Sequence, residues 1–208
     1  DIDYLTNENV FDLTRAPRHI VIIGGGPLGV EMAQALRRLG SEVTILEAKR
    51  LLPKSDHELA EVVSAQLRKE GIRVVEETNI IQISQRRGRA VIHIADGKSV
   101  RDIDATHVLV ATGRRPNFDD LDLDKAGVLF SDNGIEVDNR LRTTNKKVFA
   151  IGDVIGGAKQ THAASYHADI AIRNTLFRIP AKADLSIMPR AVYTNPEIAE
   201  VGLTESEA

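Results

Sequence analysis

Cysteine is missing altogether from the 208 residues, and tryptophan with it. The first absence excludes a disulfide scaffold, a thiolate metal site and a cysteine nucleophile within this chain, and it fits a cytoplasmic protein. Aromatic residues amount to only 4%, so little is available to stack on bases or sugars. Neither sign of charge is in large excess. The net charge of −3 gives no electrostatic case for nucleic acid or another polyanion as partner. Arg86, Arg87 and Arg89 fall in a turn and read as a solvated loop. No apolar run approaches the ~20 residues of a membrane span. The opening Asp1-Ile2-Asp3-Tyr4 has neither the basic nor the apolar region of a signal peptide. What remains, 42% hydrophobic and 27% charged, is the composition of a globular chain with one large or two small domains.

Hydrophobic periodicity gives the order of elements. A polar lead-in over residues 1–14 ends at Pro17. Residues 19–23 are a short β-branched run, as expected of a buried parallel strand. A glycine-rich turn follows, then a helical pattern with Met32, Ala35, Leu36 and Leu39 that stops at Gly40. Residues 42–46 read as a second strand. Residues 56–69 read as a helix with Leu59, Val62, Val63 and Leu67 on one face, capped by Asp56 or Ser55, and residues 72–75 as a third strand. The period then changes to alternation. Residues 80–84, 90–94 and 98–104, separated by Arg87-Gly88 and Asp96-Gly97, predict a three-stranded antiparallel meander. A further strand at 107–111 breaks at Thr112-Gly113-Arg114-Arg115-Pro116-Asn117. Residues 118–147 are loop-rich, 148–151 read as a strand and 163–177 as a long helix. A new extended piece begins at 191–193, and the closing 205–208 read as the start of another helix.

The turn Gly24-Gly25-Gly26-Pro27-Leu28-Gly29 carries the GxGxxG spacing directly between a strand and a helix. Gly24 permits the tight turn, Gly26 lets the backbone approach a pyrophosphate, and Gly29 lets helix and strand pack closely. The phosphates would rest on the free N–H groups and positive dipole end of the helix. Glu47, at the end of the second strand, stands where a carboxylate accepts from the adenosine ribose hydroxyls and repels a 2′-phosphate. NAD(H) is therefore favoured over NADP(H), although the adjacent Lys49 and Arg50 could accommodate the extra phosphate.

Three ordered motifs extend this reading: residues 24–31 (GGGPLGVE), 111–117 (ATGRRPN) and 150–154 (AIGDV). Together with residues 193–205 (YTNPEIAEVGLTE) they resemble the class I pyridine nucleotide-disulfide oxidoreductase family, and residues 161–168 are most similar to its dihydrolipoamide dehydrogenase-like and mercuric reductase-like branch. The resemblance implies an FAD-dependent enzyme that moves hydride between NAD(H) and flavin. It implies a lead-in from an FAD domain at 1–14, an NAD(P)-binding domain at 15–115, the C-terminal half of an FAD domain at 116–185 and the start of a dimerisation domain at 186–208. For NAD it points to Gly24, Gly25, Gly26, Pro27, Leu28 and Gly29 around the phosphates, Glu31 near the nicotinamide and flavin as a supporting residue, Glu47 on the ribose, Ile80 against the adenine, and Gly113 on the nicotinamide side. For FAD it points to Gly152 and Asp153 on the ribityl chain, and to the backbone of Thr161, His162 and Ala163 facing the flavin pyrimidine oxygen. His162 and His167 have no carboxylate partner signature, so no metal is assigned.

The family's redox Cys pair, the glycine loop for FAD and the C-terminal His–Glu pair are not in this sequence. The expectation is an internal fragment of a homodimeric enzyme that binds dinucleotide, does not hold FAD by itself and completes no turnover. Residues 116–185 should then expose apolar surface. The fold class implied is α/β: a Rossmann-like parallel sheet with flanking helices and a meander, followed by the partial FAD domain. Two other readings stand beside it, a stand-alone NAD-binding module and an unrelated Rossmann reductase. The meander and Gly152-Asp153 weigh against the latter. So do the three tyrosines, none of which has a lysine four residues on. The oxidised substrate is not readable from these residues.

Overall fold

The β-branched run His19–Ile23 forms β1, with Ile20, Val21 and Ile22 wholly buried. It is a central strand of a parallel sheet that also contains β2 (Glu42–Leu46), β3 (Arg73–Val75) and β7 (His107–Val110), in the order β3-β2-β1-β7. Burial on both faces explains why these strands are apolar throughout rather than alternating. Ile20, Ile22, Val43, Ile45, Val74 and Leu109 face helices α1 (Pro27–Arg38) and α2 (His57–Lys69). Val21, Leu46, Val75 and Val108 face the opposite way, onto the meander. This computed structural model describes residues 2–96, 99–157 and 159–205. Within it the sheet, both helices and the meander belong to one compact unit, Asp1–Gly113 together with Ala191–Glu200 and Thr204–Ala208.

The start of α2 and the stop of α1 are those the sequence predicts. Asp56 accepts from the N–H of Glu58 at 2.9 Å as the N-cap of α2, and Gly40 follows α1 at φ +99°. Their buried stripes are rotated from the predicted ones. In α1 the stripe is Val30, Ala33, Gln34 and Leu36, while Leu39 is 70% exposed. In α2 it is Ala60, Val63, Ser64 and Leu67, and Val62 faces solvent. The reason is the same in both. A polar residue, Gln34 or Ser64, occupies an inward position at helical spacing, so apolar character alone misplaces the face.

The meander is β4 (Asn79–Arg86), β5 (Arg89–Asp96) and β6 (Ser99–Ala105), in antiparallel register, with an irregularity between Ile80 and Gln82. Its inner face, including Ala90, Ile92, Ile94, Ile103 and Ala105, covers the second side of the parallel sheet. The predicted Asp96-Gly97 turn lies partly outside the described residues, as does the end of the predicted C-terminal helix. The lead-in does more than connect. The Leu5 N–H donates to Val108 O and the Val110 N–H to Leu5 O, so Leu5 extends the sheet edge by one bridge, and Val10 is buried in the helix-side core.

The second unit, Arg114–Arg190 with Val201–Leu203, packs around Phe118, Leu123, Val128, Ile135 and Ala150. It contains the small hairpin β8 (Phe130–Ser131) and β9 (Gly134–Ile135), a short 3-10 turn at Gly152–Ile155, and helix α3 (Thr161–Thr175). The strand predicted at 148–151 is absent; Phe149 makes a single antiparallel bridge to Arg142. An apolar run forms a strand only where a neighbour pairs with its backbone, and here one bridge is all that is supplied. Leu121, Leu129, Leu176, Phe177 and Ile179 are all more than half exposed, so residues 116–185 do expose apolar side chains. No described helix is long and apolar enough to cross a membrane.

Leu67 joins α2 to the sheet and is wholly buried. Leu67→Ala should lower unfolding stability by about 2–5 kcal/mol, read as a shift in the urea midpoint with an unchanged slope.

Candidate functional site

The glycine turn is built by contacts that tolerate no side chain at two positions. Gly24 has φ +109°, and a Cβ there would meet the carbonyl oxygen of Ala111 at 2.5 Å. A Cβ at Gly29 would collide with the carbonyl oxygen of Gly24 itself. The first turn of α1 therefore rests directly on the end of β1. Gly24 is also fixed by its own N–H, which donates to Leu46 O at 2.9 Å. Pro27 stands at the first helical positions, where a missing N–H costs nothing. Gly26 has open space around its Cβ position. The N–H groups of Gly26, Leu28 and Gly29 are left without a protein acceptor among the described residues. That is a concave set of donors at a helix N-terminus, the geometry that receives an anionic phosphate.

Glu47 belongs to this site. Its Oε2 accepts from the Gly25 N–H at 2.7 Å and its Oε1 from the Lys49 N–H at 2.9 Å. The carboxylate thus ties the end of β2 to the glycine turn, and each oxygen retains lone-pair capacity for a hydroxyl donor. Arg50 is turned away, donating to Ser55 O at 2.7 Å and Leu52 O at 3.4 Å within its own loop. Ile80 is half-buried against the meander-side core. Its strand is drawn to the end of β2 by the Thr78 N–H, which donates to Glu47 O at 3.2 Å. Gly113, just beyond β7, has open space where a Cβ would stand.

Glu31 is half-buried and accepts from the N–H of Tyr193 at 2.9 Å. That contact reveals residues the sequence reading passed over. Strands β10 (Arg190–Val192) and β11 (Ile198–Glu200) pair with each other. The connecting segment is clamped by Gln34, whose Oε1 accepts from Asn195 N at 2.7 Å and whose Nε2 donates to Asn195 O at 2.9 Å. Gln34 Nε2 also donates to Glu70. Glu70 further accepts from Gln66 and, in bidentate fashion, from Arg38 at 2.8 and 3.0 Å. Val192 and Ile198 join the helix-side core. The available signal was Gln34 itself, a polar residue in an inward position.

In the second unit Gly152 begins the 3-10 turn at φ +73°, and its N–H donates to Nδ1 of the buried His167 at 3.2 Å. Burial lowers the pKa of His167 and keeps the ring neutral, so Nδ1 is available as an acceptor. Asp153 is half-exposed, with the Arg114 guanidinium at 3.8 Å. Thr161, His162 and Ala163 form the first turn of α3. Their N–H groups have no intrahelical acceptor, and no side chain caps that end. The His162 ring bonds Pro189 O at 2.7 Å. The two predicted groups of residues thus fall at two separate helix N-termini, one in each unit.

The hydrogen bonds from Arg38, with further support from Gln66 and Gln34, hold Glu70 down to a pKa of about 2. A carboxylate whose folded pKa is depressed stabilises the fold above its unfolded value and loses that contribution as pH falls through the folded one. Glu70→Gln should therefore destabilise the chain at neutral pH. The gap between wild type and variant should shrink from about pH 4.5 down to about pH 2, measured by thermal unfolding across a pH series.

The sequence profile of the pyridine nucleotide-disulphide oxidoreductases matches residues 1–168. Over the whole chain the sequence is 35% identical to a mercuric reductase from Bacillus cereus, covering 33% of that protein. It is 37% identical to a dihydrolipoyl dehydrogenase from Bacillus subtilis, over 98% of this chain and 44% of that protein. A HOCl-induced flavoprotein disulfide reductase from Escherichia coli superposes with a TM-score of 0.89 at 29% identity, over 98% of this chain and 47% of the other. The chain spans a third to just under half of the length of these relatives. It belongs to the pyridine nucleotide-disulphide oxidoreductase family.

Proposed function

We propose that this chain supplies the NAD(H) site of a flavin-dependent oxidoreductase and part of the FAD site, and that the whole enzyme passes hydride between the two cofactors. The observation that carries the reading is Glu47, whose carboxylate is bonded to the glycine turn at Gly25 and stands beside the unpaired N–H groups of α1. Gly24, Gly25, Gly26, Pro27, Leu28 and Gly29 receive the pyrophosphate, and Glu47 takes the adenosine ribose hydroxyls. Ile80 packs on the adenine, and Gly113 and Glu31 border the nicotinamide half. In this reading residues 15–115 are the NAD(P)-binding domain, 116–185 the second half of the FAD domain and 186–208 the beginning of a dimerisation domain.

Preference for NAD(H) follows from charge. A 2′-phosphate would be set against the Glu47 carboxylate, while the Arg50 guanidinium is engaged by Leu52 O and Ser55 O. On the flavin side, Asp153 accepts from a ribityl hydroxyl and exchanges its loose pairing with Arg114 for that bond. The first-turn N–H groups of Thr161, His162 and Ala163 face the pyrimidine oxygen, where negative charge grows on reduction. When bound, flavin and nicotinamide supply the redox chemistry and the protein supplies orientation. The whole enzyme acts in the cytoplasm as a homodimer. This chain alone holds NAD(H) without completing turnover, because it carries no cysteine.

Calorimetric titration with NADH and with NADPH tests the reading. NADH should bind at least about tenfold more tightly, a difference of ~1.4 kcal/mol, and Glu47→Gln should narrow that ratio. Failure of both nucleotides to bind, or tighter binding of NADPH, would contradict it.

A further inference from the structure

The outer face of the meander carries an arrangement that dinucleotide binding does not use. Ser84 on β4, His93 on β5 and Asp102 on β6 lie on one face of three adjacent antiparallel strands. His93 Nδ1 is 2.7 Å from Asp102 Oδ1, and His93 Nε2 is 3.0 Å from Ser84 Oγ. Chemistry fixes the direction of the bond to the carboxylate. An ionised carboxylate only accepts, so Nδ1 carries the proton, and the neutral ring then presents an Nε2 lone pair to the serine hydroxyl. With the ring neutral, serine donates to histidine and histidine donates to aspartate, which is the polarity of a hydroxyl activated by a general base held in the correct tautomer.

The site is reachable. The side chains of His93 and Asp102 are 29% and 45% exposed, and Ser84 is half-buried beside the buried Val91 opposite it. The three arginines of the adjoining turn gain a context here. Arg86 is two residues from Ser84 on the same strand face, and Arg89 stands directly opposite Arg86 in the register. Among the described residues Arg86 makes an exposed pair with Asp104 at 3.4 Å, and such pairs contribute little. Cationic side chains therefore border the hydroxyl on the side of the turn.

We propose that Ser84 is an acyl-accepting nucleophile, activated by His93 and Asp102, for activated acyl donors that already carry negative charge, which Arg86 and Arg89 hold before the acyl group is transferred. For an acyl phosphate, Oγ attacks the acyl carbon while Nε2 takes the hydroxyl proton. The bond from the acyl carbon to the phosphate oxygen breaks, and phosphate leaves with the electron pair and receives the proton from Nε2. The products are an acyl-serine and inorganic phosphate, and nothing is oxidised or reduced.

The test treats the whole chain with acetyl phosphate and follows acetylation of each serine by peptide mass spectrometry. Ser84 should label at least about tenfold faster than the exposed Ser131, Ser165 and Ser186, and His93→Gln should remove that advantage, as expected when a general base is lost. Asp102→Asn should slow labelling several-fold. Arg86→Gln with Arg89→Gln should slow labelling by acetyl phosphate and leave labelling by the neutral donor p-nitrophenyl acetate unchanged. Circular dichroism and NADH binding, read on the same variants, should not move, since these groups lie outside the dinucleotide site. Labelling of Ser84 no faster than of the reference serines, or indifference to His93→Gln, would overturn the proposal whether or not NADH binds.

Discussion

One close approach governs the first unit: the first turn of α1 lies so near the end of β1 that Gly29 leaves no room for a Cβ against the Gly24 carbonyl. Because the helix is seated on the strand, its N-terminal N–H groups open at the carboxyl end of the sheet rather than into a core. Because Gly24 turns at positive φ beside Ala111, the same point gathers the ends of β1, β2 and β7. The Gly24 N–H reaches Leu46 O, the Ala111 N–H reaches Ile23 O, and Glu47 reaches Gly25. The open row of N–H donors is thus a by-product of how one helix packs on one strand, and the Glu47 carboxylate is anchored by the glycine turn beside it.

The second organising contact is polar. Gln34 presents both ends of its amide to the backbone of Asn195, as a neighbouring strand would, and passes the bond on to Glu70 and Arg38. A buried amide with every partner in place specifies one docking position more sharply than a methyl group could. It holds the β10–β11 segment so that the Tyr193 N–H meets Glu31. That segment is remote in sequence from α1 yet packs into the helix-side core of the same unit through Val192 and Ile198.

Much of this was legible in the sequence because the signals were local. The β-branched run at 19–23, the glycine spacing, the Asp56 cap and the alternation from 80 to 104 each follow from a short stretch of chain, and the corresponding elements are present. What escaped was set by partners distant in sequence. The buried faces of α1 and α2 were misjudged because Gln34 and Ser64 are polar residues in inward positions. The strand expected at 148–151 failed because whether an apolar run becomes a strand depends on its neighbour. The bridge from Leu5 to β7 and the clamp on Asn195 join residues about 100 or more apart, and no periodicity records such pairings.

The meander has a bearing on the order of folding. It occupies the interval between β3 and β7, where a parallel sheet ordinarily places a crossover helix. The partner that β7 must find is β1, far back in the chain: the His19 N–H meets Thr106 Oγ1 across 87 residues. Closing so long a loop is entropically costly before any contact rewards it. Hairpins between consecutive strands are local and form quickly. Once β4, β5 and β6 have zipped together, the connection between β3 and β7 is shortened to a preformed slab whose apolar face already matches the sheet. The edge strand β7 can then arrive as the last member of a largely assembled template.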